Sequence, residues 1–218
     1  APAGVPSNAS SPSISSPMDH SPSGSHAATP VVAPSPDATQ AAELRAALTS
    51  LLNDHVWLAG NALDTAVKKK GDLKDPQVVG AVKALDANSV ALSKAIGSVY
   101  PDAEKPFLAS WRQHIGFFVN YTLGKATKNE KQAAKAKADL NTYWTSFGQL
   151  INSVIPELPA DAVAKELVPH VNTLIAAIDA DIAGKADYQS KLTAAADHMP
   201  MTAAILTNGI VANKKIES

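Results

Sequence analysis

The feature that most constrains this chain is an apolar period that begins near Asp37 and runs almost to the C-terminus. Leu44, Leu48, Leu51, Leu52, Leu58 and Leu63 recur at three- and four-residue steps, the spacing that lines one face of an α-helix. The period is punctuated by segments with helix-ending chemistry. Lys68-Lys69-Lys70-Gly71-Asp72 places cations in a last turn and glycine beyond it, which suits the negative end of the helix dipole and a left-handed cap. Asp75-Pro76 reads as an N-cap with proline in the first turn. Tyr100-Pro101-Asp102, Ile155-Pro156-Glu157-Leu158-Pro159 and Gly184-Lys185-Ala186-Asp187 supply further breaks. The pattern predicts an all-α fold of six helices over about 38–69, 76–99, 103–123, 128–153, 160–182 and 188–212. These pair as three helical hairpins, about 38–99, 103–153 and 160–212, packed as a bundle or a short hairpin array within a helical domain spanning 38–218.

The hairpins resemble one another at a spacing of 56 to 59 residues. His55 in LTSLLNDHVWLAG, His114 in FLASWRQHIGFFV and His170 in VAKELVPHVNTLI each have an apolar residue three before (Leu52, Trp111, Leu167) and another immediately after. A cluster of turn-forming residues follows each histidine by about 15 positions, and the second helices carry Asp86, Asp139 and Asp197. An imidazole near an apolar stripe must satisfy its ring nitrogens by hydrogen bonding or by coordination, since an orphaned buried polar group costs about 1–3 kcal/mol. Convergence of the three rings would make a natural copper or zinc site. Separate hydrogen bonds within each hairpin are the alternative, and an extended array would keep the rings apart.

A second candidate ligand set lies in the last hairpin. Asp197-His198-Met199-Pro200-Met201 holds a carboxylate, an imidazole and two of the three methionines, and sulfur beside nitrogen favours Cu(I). Helical spacing puts His198 and Met201 on one face. Pro169 and Pro200 flank this hairpin's histidines and are expected to bend their helices. The competing reading is that methionine fills a gap at a kink.

Residues 1–37 have a different character: eight of the 15 prolines and no Lys, Arg, Leu or aromatic residue. They read as a disordered Pro/Ser-rich tail or spacer, of the kind found behind a processed export signal peptide or a lipid-modified N-terminus. Met18, His20 and His26 form a sparse ligand cluster there, one that could capture a copper ion or be incidental. With no cysteine, disulfides, zinc-thiolate sites and thiol catalysis are excluded, leaving His, Met and carboxylates as metal ligands. A net charge of −1 provides no field for nucleic acid. No run of 18 apolar residues appears, so no membrane span is expected, while a lipid anchor stays open. The sequence contains no G-x-S-x-G, phosphate-binding glycine loop, dinucleotide fingerprint or zinc-protease motif, and no catalytic residue is singled out.

The segments LRAALTSLLNDHVWLA, FLASWRQH and DHMPMTAAIL resemble secreted or lipid-anchored helical proteins of Gram-positive bacteria, over about Leu44 to Ile210. The resemblance implies an all-helical fold and a cell-envelope location, and carries no site residue with it. The leading expectation is an extracytoplasmic protein that buffers or delivers copper. Its candidate ligands are His198, Met199, Met201 and Asp197, then His170, His55 and His114, then His20 and Met18. A non-enzymatic envelope interaction or scaffold module is the alternative, and a protein with haem or a catalytic metal in its interior is the third.

Overall fold

The computed structural model describes residues 39–216. The expected tail, with Met18, His20 and His26, lies outside the described residues. Helix α1 spans Gln40–Lys68, α2 Pro76–Gly97, α3 Glu104–Ala126, α4 Glu130–Val154, α5 Ala160–Ile182, α6 Tyr188–Asp197 and α7 Met199–Lys214. A single 3₁₀ turn, Pro101–Ala103, leads into α3, and no strand occurs among the described residues. The fold is all-α, as the periodicity predicts.

Helix starts follow side-chain chemistry. Thr39, Asp75 and Asn129 accept backbone N–H bonds from Ala42, Gln77 and Gln132, which satisfies donors that have no intrahelical partner. The ends of α1, α3 and α5 share one motif. Lys70, Lys128 and Gly184 adopt φ of 54°, 58° and 62°. In each case the N–H of the following residue, Gly71, Asn129 or Lys185, reaches back five positions to the carbonyl of Ala66, Gly124 or Ala180, at 2.8, 2.7 and 2.8 Å. These are Schellman ends, with a left-handed residue just past the cap. The repeat therefore extends to backbone geometry, and in the first copy two residues past the cap are left-handed, Lys70 and then the expected Gly71 at φ 80°.

The sixth expected helix, 188–212, is interrupted and becomes α6 and α7, with His198 between them. Proline at 200 has no N–H to return to the Ala196 carbonyl. The Asn53 side-chain amide, from α1, donates to that carbonyl at 3.5 Å.

Packing decides between the two expected architectures in favour of a closed bundle. The helices α1, α3 and α5 touch one another in pairs. Outside them α2 lies against α1 and α3, α4 against α3 and α5, and α6 against α5 and α1, with α7 also on α1 and α5. The hairpins thus form a pseudo-three-fold ring whose first helices face the axis. The ring closes where α1 meets α6 and α7. Besides Asn53, Tyr188 donates its hydroxyl to the Gly60 carbonyl at 3.1 Å and Tyr100 donates to Asn213 Oδ1 at 2.8 Å, each joining distant parts of the chain. The interior is filled by Leu48, Leu52, Leu92, Leu140, Leu174 and Ile210 together with an aromatic group around Phe107, Trp111, Tyr143 and Phe147. Burying one such side chain contributes about 1.5–3 kcal/mol. No helix among the described residues is long and apolar enough to cross a membrane.

Candidate functional site: a histidine centre in the bundle interior

Each inner helix delivers its equivalent histidine to the interior. His55, His114 and His170 are only 2%, 3% and 4% exposed. The His55 and His114 rings lie 5.4 Å apart, centroid to centroid, at 53°. The charge His170 would carry opposes protonation of both. Trp111 packs against both of the first two, 4.9 Å from His55 and 4.6 Å from His114. Tyr143 stacks on His114 at 5.4 Å; its own hydroxyl accepts from Ser110 at 3.2 Å.

The electrostatics follow from burial. Removal from water disfavours an imidazolium, and burial, followed by the neighbouring His170, lowers the His55 pKa to about 3. For His170 burial lowers it to about 4, against an upward pull from the Ala195 carbonyl and with a further lowering by His198. His114 falls well below its ordinary value through burial, then His55 and His170. All three rings are neutral at pH 7, and the Nδ1 of each is buried without a hydrogen-bond partner. Of the separate hydrogen bonds within each hairpin that the sequence allowed, His170 has one to the Ala195 backbone and His114 one to the Trp111 backbone, and none is made at Nδ1.

The last hairpin distributes its donors differently. His198 Nε2 donates to the Glu166 carbonyl at 2.8 Å, with Glu166 Oε1 at 3.1 Å but off the hydrogen-bond axis, so that this carboxylate oxygen is buried without a bond of its own. Met199 is 1% exposed and packs in the core, whereas Met201 is 59% exposed. Two residues apart on a helix, the thioethers face nearly opposite ways. Asp197 is exposed. The structure therefore sets His55 and His114 face to face, with His170 near enough to disfavour their protonation and His198 near enough to disfavour that of His170, and does not bring Asp197, Met199 and Met201 together. Asp86 pairs with Arg112 at 2.7 Å and Asp139 with Lys135 at 2.7 Å, so the repeated aspartates share no common role.

Among the described residues no group of three or more His, Asp or Glu side chains forms a ready-made metal cage. The residues that could hold an ion are the facing pair His55 and His114, with His170 adjacent. A small chamber of about 40 Å³ borders this pair, lined by Ala62, Leu63, Leu85, Phe118 and Leu174 among others. A second, of about 20 Å³, lies against Trp111 and Glu166.

Sequence reasoning missed the Glu166–His198 contact, which joins residues 32 positions apart and leaves no local signal. It also missed Tyr143 as the partner of His114. The chamber does have a signal: Ala59, Ala62 and Ala66 follow His55 on its own helix at three- and four-residue steps, and small side chains leave space. At the other end of the bundle, Asp181 has its carboxyl pKa raised to about 6 by burial and then by Asp64.

Comparison of the chain with protein-family models, with curated proteins and with solved structures found no match.

Proposed function

We propose that this chain is an extracytoplasmic copper-binding protein that buffers or delivers the ion, and that the facing pair His55 and His114, with His170 adjacent, supplies its ligands. The observation that carries the reading is the pair of equivalent, buried imidazoles of His55 and His114, 5.4 Å apart with His170 near them, each of the three with an unspent Nδ1. A neutral imidazole is the form that coordinates a metal, and one or two donors from this group suit Cu(I), which accepts low coordination numbers. Coordination would also remove the cost of leaving these nitrogens unpaired. The cysteine-free composition and the Pro/Ser-rich leader support a location outside the cytoplasm. His198 and Glu166 are the half-buried residues through which an ion would first meet the centre.

The test is titration of the purified chain with Cu(I) against a competing chelator. Stoichiometric uptake should be lost in His55→Gln and His114→Gln, with folding checked by circular dichroism, and kept in a Met199→Leu, Met201→Leu variant. Uptake that survives both glutamine substitutions but disappears when residues 1–36 are deleted would move the site to Met18, His20 and His26. If no form takes up copper, the apolar surface of Leu73, Val79 and Val82, which are 45%, 51% and 41% exposed, favours the envelope interaction module instead.

A further inference from the structure

We propose that the chamber beside His55 and His114 is a binding place for a small uncharged ligand of two or three heavy atoms, of the size of a dissolved diatomic gas. Three features of the chamber define that occupant. The first is volume. About 40 Å³ exceeds the roughly 10–15 Å³ one water requires and falls well short of the roughly 150 Å³ cavity that admits benzene. The second is lining. Apart from His55, His114 and Thr122, the wall residues are aliphatic or aromatic, and the Thr122 hydroxyl is already donated to the Phe118 carbonyl at 2.9 Å. A charged ligand would have to shed its hydration against these walls, among which there is no Asp, Glu, Lys or Arg to supply a counter-charge; an uncharged one loses little. The third is access. Leu73 and Val82 belong to the chamber wall and are also exposed, so the wall reaches the surface between α1, α2 and α3.

The imidazole pair gives the ligand something to meet, since both Nδ1 atoms are unpartnered. Where Cu(I) is held by these histidines, the ligand would donate its lone pair to the open position of the ion, with no electron transferred and no bond broken. That coordination rests on the copper reading above; occupancy of the chamber does not.

Two probes separate the claims. Xenon is applied to the metal-free full chain and followed by the xenon NMR shift, and carbon monoxide is applied to the Cu(I)-loaded chain and followed by its infrared stretch. Xenon is expected to bind saturably to the native protein, and to lose that binding in Ala62→Leu, which fills the chamber, and in Val82→Trp, which blocks its exposed wall and spares the core. A xenon shift that is linear with concentration and equal in all three proteins overturns the proposal, whatever copper does. With copper bound, one carbon monoxide band is expected that weakens at least tenfold in Ala62→Leu while copper uptake is retained. A band of equal strength in that variant places the ligand outside the chamber and overturns its coordination there. Failure to take up copper sinks the earlier reading alone, and xenon then decides this one.

Discussion

His55, His114 and His170 make the stability of this protein depend on pH in a direction that can be worked out. Their folded pKa values lie below the unfolded value of 6.5, at about 3 for His55 and about 4 for His170. The neutral native state is therefore fully favoured above pH 6.5. As pH falls from there toward 4, the unfolded chain takes up protons that the native one refuses, and stability declines by at most about 1.4 kcal/mol per pH unit for each histidine. Asp181 acts the other way. Raised from 3.8 to about 6, it contributes stability that is fully present below 3.8 and is lost as pH rises through 6. Three groups outweigh one, so the urea midpoint should drop between pH 7 and pH 5, and the drop should shrink in His170→Leu. Equal midpoints would mean that the rings are not buried as neutral bases. The candidate status of these histidines is legible from the sequence, because each follows an apolar residue by three. Their convergence is not, since it depends on ring closure between helices more than a hundred residues apart. The separation of Met199 from Met201 could have been read from helix geometry alone.

At the scale of elements, the caps explain why most helix ends match expectation within a few residues. Asp75, Pro76 and Asn129 act locally, and local chemistry is what a sequence displays. The break at His198 was harder to place, because Pro200 removes a bond to a residue four positions earlier and the Asn53 amide that compensates comes from another helix. Lys128 holds a left-handed backbone at φ 58°, a conformation that costs a side chain roughly 1–2 kcal/mol; Lys128→Gly should therefore raise the thermal midpoint by a few degrees, and a lowered midpoint would show that the Lys128 side chain matters more than its backbone. Gly148 of α4 faces the backbone carbonyl of Ala160 at the start of α5, so closely that a Cβ would collide with it. Gly148→Ala should cost about 1–3 kcal/mol by chemical denaturation, whereas an unchanged midpoint would mean that α5 can shift freely.

For the whole molecule, ring closure means that no hairpin buries its histidine face without the other two. Unlike an open repeat array, whose units can unfold separately, residues 39–216 should unfold in one transition, with circular dichroism and tryptophan fluorescence superimposing. The periodicity allowed either a bundle or an array, because it reports which face of each helix is apolar and not which neighbour covers it. The seam between α1 and α6–α7 bears on the order in which the fold assembles. Asn53 to Ala196, Tyr188 to Gly60 and Tyr100 to Asn213 join residues 143, 128 and 113 positions apart, so they close the longest loops and bear the greatest chain entropy. They are the last stitches of folding. Tyr188→Phe and Asn53→Ala should accordingly speed unfolding several-fold in stopped-flow experiments and leave the folding rate nearly unchanged. The ring of three histidine-bearing helices is then completed only when the two ends of the chain find each other, so a ligand that bridged all three would hold a nearly finished fold shut.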